Sequence, residues 1–171
     1  KAFLIDPSRK CYNFLKKEDI IDQSLDSKPI EFTGMASKFI LLTVSRLSSH
    51  TKQFDLIIES AKSLSSGGIA FSWFILGDGE YREELEHKIK KNRLEEFVFL
   101  LGKKLNPYPY FKHCNLVVHL SSHEGLCGAI NEAKILGKAV LASNIPSIRE
   151  QIAHKKNGYL TDNTVEDVVK S

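Results

Sequence analysis

The sequence predicts an α/β fold, a parallel sheet with helices on both faces joined by right-handed crossovers. Three observations predict it. Short apolar runs rich in β-branched and aromatic residues alternate with amphipathic helical stretches. Glycine-containing turns close several of these units. The 171 residues, 42% hydrophobic and 26% charged, suit one domain with a continuous core and exclude a disordered or collagen-like chain.

The elements follow in order. Residues 39–45 (FILLTVS) form a nearly unbroken apolar run, as expected of a strand buried on both faces. Residues 54–64 read as a helix, with Phe54, Ile57, Ile58, Ala61 and Leu64 on one face and a Ser-Ser-Gly-Gly stop behind them. A second strand at 70–76 is closed by Gly77, Asp78 and Gly79, and 81–91 is a charged amphipathic helix. The cycle repeats: strand 97–101, helical turn 107–112, strand 116–120, helix 127–136, strand 139–143, helical turn 148–153, a short strand at 159–160 and a last helix starting at 165–169. Residues 1–36 are less regular. Breaks at Asp6-Pro7, Lys28-Pro29 and Thr33-Gly34 mark a linker with a first helix around 19–25. In such a sheet, ligands bind at the carboxyl ends of the strands.

Charge and cysteine use narrow the function classes. The net charge of +3 comes from 24 basic and 21 acidic residues spread along the chain, without the basic tail of a nucleic-acid arm. Cys11, Cys114 and Cys127 are odd in number and lack C-x-x-C spacing, which argues against a zinc site or a secreted disulfide scaffold and fits a reducing, cytoplasmic setting. The longest apolar runs, 39–44 and 71–76, fall far short of the ~20 residues that span a bilayer, and nothing resembles a signal peptide, so the domain is expected to be soluble. The chain begins at Lys1 and has its single methionine at Met35, so we read it as a domain of something larger.

The most informative stretch is 121–133, SSHEGLCGAINEA. Seven residues separate Glu124 from Glu132, and Gly125 and Gly128 lie between them. Were the segment wholly helical, the two carboxylates would stand about 12 Å apart along the axis, enough to hold both ends of one nucleotide sugar. The glycines would let helix-start amides approach phosphates. Arg46 follows the first strand and Lys52 comes six positions later, so both cations can reach a diphosphate at the binding edge. Equally, Arg46 can cap the sheet edge while Lys52 is solvated. Gly77-Asp78-Gly79 reads as a tight turn; Arg82 stands where a dinucleotide fingerprint needs its third glycine, which argues against a nicotinamide enzyme. His119 and His123 flank Ser121-Ser122 and raise metal or acid-base chemistry, but without a ligand cluster a packed His119 and a loop His123 are the simpler expectation. Cys127 is read as a small loop residue rather than an activated thiol.

Seven segments occur in a fixed order: VSRL; Lys52-Gln53-Phe54-Asp55; FILGDGEYREELE; VFLLGKK; NPYPYFKHCNLVVHLSSHEG; AINEAKILGKAVLASNIPSIREQI; and KKNGYL. Over residues 40–161 this set resembles the carboxy-terminal domain of group 1 (family 4) glycosyltransferases, and is most similar to bacterial enzymes of capsular, exopolysaccharide or lipopolysaccharide assembly. The resemblance implies a GT-B enzyme, two Rossmann-like halves facing across a cleft. Residues 1–36 would be the interdomain linker with its helix, and residues 37–171 the nucleotide-sugar half. It further implies a retaining hexosyltransferase that uses a nucleotide-diphosphate sugar and a glycan or lipid-linked acceptor, with no cofactor and no metal ion. The setting would be the cytoplasm, with the full-length enzyme open to peripheral contact with the inner membrane face, and this half would be inactive without its amino-terminal partner.

Carried over by motif, Arg46 and Lys52 would neutralise the donor diphosphate and Glu124 would lie beside the transferred sugar; these three are the expected catalytic set. Glu132 would bond the ribose hydroxyls. Ser122 and the backbone of Gly125, Leu126, Cys127, Gly128 and Ala129 would touch phosphate or sugar. Gly77, Asp78 and Gly79 would let the nucleotide come close, and Gly102, Lys103 and Lys104 would border the base. The chain departs from the family pattern at Gln53, Asn115, Cys127 and Ala139 and in one extra residue between Arg46 and Lys52, departures that touch donor identity more than reaction class. Two other classes stay open: a nucleotide-sugar epimerase or hydrolase of related fold, and a binding module without catalysis.

Overall fold

The computed structural model describes residues 16–35, 38–48 and 51–170. Cys11, the first part of the expected linker and the expected boundary at 36/37 lie outside the described residues.

Six strands form one parallel sheet: β1 (Phe39–Val44), β2 (Phe71–Leu76), β3 (Val98–Gly102), β4 (Leu116–His119), β5 (Ala139–Ser143) and β6 (Tyr159–Thr161). Their spatial order is β3-β2-β1-β4-β5-β6, the order of a Rossmann-like doubly wound sheet, which reverses between β1 and β4. The helices are α1 (Lys17–Gln23), α2 (Phe54–Ser66), α3 (Arg82–Lys91), α4 (Tyr108–His113), α5 (Gly128–Ile135), α6 (Pro146–Arg149) and α7 (Val165–Lys170).

Side chains on a strand alternate between faces, and here the alternation divides the apolar residues into two cores. Ile40, Leu42, Phe74, Leu76, Val117, Val140 and Ala142 pack with α1, α4, α5 and α6. Leu41, Phe71, Trp73, Ile75, Val118 and Leu141 pack with α2, α3 and α7. The sheet is therefore covered on both sides, and its strands need no polar face. Among the buried polar residues of the sheet, Thr43 ties three strands together. Its hydroxyl donates to the Val118 carbonyl at 2.8 Å and accepts the indole N–H of Trp73 at 3.0 Å, linking β2, β1 and β4. Asn115 joins β1 to the start of β4: its side-chain oxygen accepts the Ile40 N–H at 2.7 Å and its own N–H donates to the Ile40 carbonyl at 2.9 Å.

Three helix expectations are corrected. The first helix runs two residues earlier than 19–25. The turn expected at 148–153 starts at Pro146, whose fixed φ and missing N–H suit the first helical position. Most important for the site, the helix expected at 127–136 runs from Gly128 to Ile135: Cys127 caps it with extended backbone (φ −83°, ψ 107°) and 124–127 is not helical, so only Glu132 of the glutamate pair stands on the helix. The helical rise between Glu124 and Glu132 does not apply.

Candidate functional site

Because all six strands run the same way, their carboxyl ends share one edge, and the loops after β1, β2, β3 and β4 carry most of the expected site residues there. The connection from β1 to α2 supplies both cations. Its second part is tied to the loop after β4 by an antiparallel bridge between Lys52 and Ser121. The Gln53 N–H donates to the Leu120 carbonyl at 3.2 Å, and the Ser122 N–H to the Thr51 carbonyl at 2.9 Å. The Ser121 hydroxyl lies 3.0 Å from the Thr51 carbonyl and 2.9 Å from that of His123. This backbone lacing brings Lys52 to Glu124, 72 positions away in sequence. It also occupies the Ser122 amide with Thr51.

The Lys52 ammonium pairs with Glu124 Oε1, and both side chains are 14% exposed. The same oxygen lies 2.7 Å from His119 Nε2. His119 ends β4 and is buried, and its Nε2 is also 3.4 Å from Cys127 Sγ and 3.5 Å from Lys52 Nζ. An ionised carboxylate only accepts hydrogen bonds, so Nε2 carries a proton; an ammonium has no lone pair, so the Lys52–His119 approach is a contact between donors. Burial pushes the Glu124 carboxyl up, but hydrogen bonds from His119 and Lys52 outweigh it and hold the group down at about 2. Burial pushes His119 down, but hydrogen bonds to Cys127 and Glu124 raise it to about 9. The carboxylate is thus ionised at neutral pH and already carries two positive neighbours. The expected packed His119 is found, 3% exposed, and its ring nitrogen also bonds the expected catalytic glutamate.

Arg46 is placed differently. With Gly77, Asp78, Lys103, Lys104 and Pro107 it lines an open cleft of about 410 Å³ at the same sheet edge. Its own side chain is exposed. Lys104 is held by Glu31 at 2.8 Å and lies 5.5 Å from the ring centroid of Tyr110, whose hydroxyl also donates to Glu31 at 3.0 Å. One expected base-bordering cation therefore has a structural partner on the segment before β1. Gly102 has φ +69°, and a Cβ there would stand 3.7 Å from the Arg82 guanidinium.

The glycines of the Gly77-Asp78-Gly79 turn answer to the protein's own backbone. A Cβ on Gly77 (φ +135°) would sit 1.8 Å from the Ser45 carbonyl oxygen, and one on Gly79 (φ +158°) 2.2 Å from that of Leu47. The chain leaving β1 is pressed against this turn and bonded to it, with the Leu47 N–H donating to the Asp78 carbonyl at 3.0 Å. Gly125 and Gly128 contrast with these: a Cβ on either meets nothing within 4 Å, so that side of the glutamate loop is open. Leu126 between them is 63% exposed. The amides of Gly128 and Ala129 open α5, where no intrahelical acceptor exists for them. Glu132, one turn in, interacts with the buried Tyr108; burial lifts its carboxyl above the usual range and the tyrosine only partly offsets this.

Among the described residues no three His, Cys, Asp or Glu side chains converge as a metal site requires, and no helix is long and apolar enough to cross a membrane. The expected residues thus fall into a cleft with Arg46, an ion-paired cluster around Glu124, and α5 with Glu132, on the loops and helix that follow the carboxyl ends of the strands. His119 is the member that sequence reasoning passed over. Its signal was a histidine at the carboxyl end of an otherwise apolar strand, five positions before the glutamate.

Residues 30–171 match the family described as Glycosyl transferases group 1. The chain is 32% identical over 164 residues to a Campylobacter jejuni protein named N-acetylgalactosamine-N,N'-diacetylbacillosaminyl-diphospho-undecaprenol 4-alpha-N-acetylgalactosaminyltransferase, covering 94% of this chain and 42% of that one. It is 34% identical over 116 residues to the Staphylococcus aureus poly(ribitol-phosphate) alpha-N-acetylglucosaminyltransferase, covering 66% and 23%. The crystal structure of Anabaena HepE with UDP and glucose superposes with a TM-score of 0.74 at 26% identity, over 90% of this chain and 41% of that one. The chain therefore spans less than half the length of each of these relatives. By sequence, by fold and by the match over 30–171, the chain belongs to the group 1 glycosyltransferase family.

Proposed function

We propose that this chain is the donor-binding domain of a retaining glycosyltransferase, which transfers a hexose from a nucleotide-diphosphate sugar to a glycan or lipid-linked acceptor in surface polysaccharide assembly. Residues 1–36 serve as the linker to an acceptor-binding half, and residues 37–171 hold the donor. The observation that carries this reading is the Lys52–Glu124–His119 cluster on the same sheet edge as the Arg46 cleft.

Cleavage of the sugar–phosphate bond leaves negative charge on the diphosphate and positive charge at the anomeric carbon. Arg46 and Lys52 are suited to the first charge, by bidentate bonding and by a mobile point charge respectively. Glu124, ionised by its partners, is suited to the second. The α5 amides favour an anion, and Glu132, next to Tyr108, offers an acceptor for ribose hydroxyls. In this division of labour the chain's own residues supply charge at both ends of the breaking bond, with no cofactor or metal ion assigned a part. HepE, with UDP and glucose in its crystals, supports a uridine nucleotide as the first donor to try, and the undecaprenol-linked acceptor in the Campylobacter relative's name supports a lipid-linked acceptor.

A thermal-shift panel of nucleotide sugars and free nucleotides tests the reading. Stabilisation grows with the logarithm of ligand over dissociation constant, reaching about 2.7 kcal/mol at a hundredfold excess. The expected result is a rise in Tm with at least one nucleoside diphosphate or its sugar, diminished by salt. A folded sample that no nucleoside diphosphate shifts at millimolar concentration would rule the donor site out.

A further inference from the structure

Two positive partners meet on one oxygen, Glu124 Oε1, and they differ in how firmly they are held. Lys52 reaches it with a long flexible side chain from a loop. His119 reaches it from the last position of a sheet strand, 3% exposed, with little freedom to turn away. The groups facing the imidazole are Lys52, Glu124 and Cys127. A diphosphate entering this edge would compete for the ammonium of Lys52, and Glu124 would then keep a single protein partner.

We propose that His119 is the positioning residue of Glu124: its Nε2–H keeps the carboxylate ionised and fixed while Lys52 exchanges from Glu124 to the phosphate of an incoming donor. The inference rests on the donor-site reading above. It explains why one oxygen carries both partners, since the exchange leaves the carboxylate neither unpaired in a mostly buried setting nor free to swing. It also explains a crowded arrangement in which two donors stand 3.5 Å apart: departure of Lys52 relieves their repulsion.

Nuclear magnetic resonance of the labelled chain tests this without relying on transfer activity. Long-range nitrogen spectra report which ring nitrogen of His119 is protonated, and the Glu124 carboxyl carbon reports its titration, each recorded without ligand and with saturating UDP. We expect Nε2 to carry a proton at pH 7 in both states, and the Glu124 midpoint to stay below the ordinary carboxylate range when UDP is bound. In His119→Leu with UDP that midpoint should rise by at least about one pH unit, the effect of losing a hydrogen-bonded positive neighbour. His119→Gln, which keeps an N–H but no charge, should fall between, and it serves if the leucine variant does not fold. A bare Nε2 at pH 7, or the same Glu124 midpoint in wild type and His119→Gln, overturns the proposal. An absence of UDP-induced shifts overturns the donor-site reading and the exchange with it; a persisting effect of the substitutions on ligand-free Glu124 would show that the positioning contact itself is not what failed.

Discussion

Glu124 and His119 bind protons differently in the folded chain than in the unfolded one, and stability must follow pH accordingly. The Glu124 carboxyl is lowered to about 2 from an ordinary 4.5, so its contribution is present above about 4.5 and is lost as pH falls towards 2. His119 is raised to about 9 from 6.5, so its contribution is complete below 6.5 and is lost as pH rises through 9. Glu31 and Asp55, also lowered by lysine partners, add to the acid limb. The alkaline limb between 6.5 and 9 is therefore the selective one. Urea midpoints measured across this range should fall in wild type and stay level in His119→Gln; an equal fall in both would remove the buried histidine pair from the account. Glu124, Lys52 and Arg46 were legible in the sequence because their spacing around strand ends matched a family pattern. His119 was not, because the contact that gives it a role is made by a loop folding back over five residues, which neither helical nor strand periodicity encodes.

The strands were legible almost to the residue, since an apolar run covered on both faces has no other stable placement, and the two cores divide along the alternation of each strand. Helix ends were less so. The helix expected at 127–136 begins at Gly128, because Cys127 takes extended backbone as its cap, and ends at Ile135. Likewise the Gly77 and Gly79 requirement arises from the chain after β1 pressing on the turn after β2, a contact between segments some thirty residues apart that local sequence does not reveal. The polar link through Thr43 makes an element-level prediction. Thr43→Val keeps the shape but leaves the buried Trp73 N–H without its acceptor, which costs about 1–3 kcal/mol. Denaturant unfolding should show that loss with an unchanged m-value. A change below about 0.5 kcal/mol would mean that the three-strand link contributes nothing net.

At the scale of the whole molecule, the parallel order β3-β2-β1-β4-β5-β6 puts every loop of the candidate site on one edge, and the fold class, legible from the alternation of strands and helices, is the part of the account that sequence conveyed best. Which side chains meet on that edge was less legible, because it depends on long-range lacing such as the Lys52–Ser121 bridge. The edge carries an open cleft, and on the proposed reading transfer needs an acceptor hydroxyl held close to the anomeric carbon, a positioning effect that can supply about 7–11 kcal/mol of barrier reduction. We therefore expect the 171-residue chain, given a donor and lipid-linked or free acceptors, to yield at most slow donor hydrolysis, while the full-length protein transfers. Comparable transfer by both would place the acceptor site within these residues.

The central claim is that the donor phosphates and sugar sit on the edge formed by Arg46, Lys52, Glu124 and the start of α5. The most direct measurement is a titration of the labelled chain with UDP, followed by nuclear magnetic resonance of every backbone amide and of the lysine and arginine side chains. The account predicts that the largest shifts fall on Arg46, Lys52, Gly128 and Ala129, that the Glu124 carboxyl loses its lysine partner, and that Lys52→Ala weakens binding. Shifts centred on another surface, or binding that Lys52→Ala leaves unchanged, would contradict it.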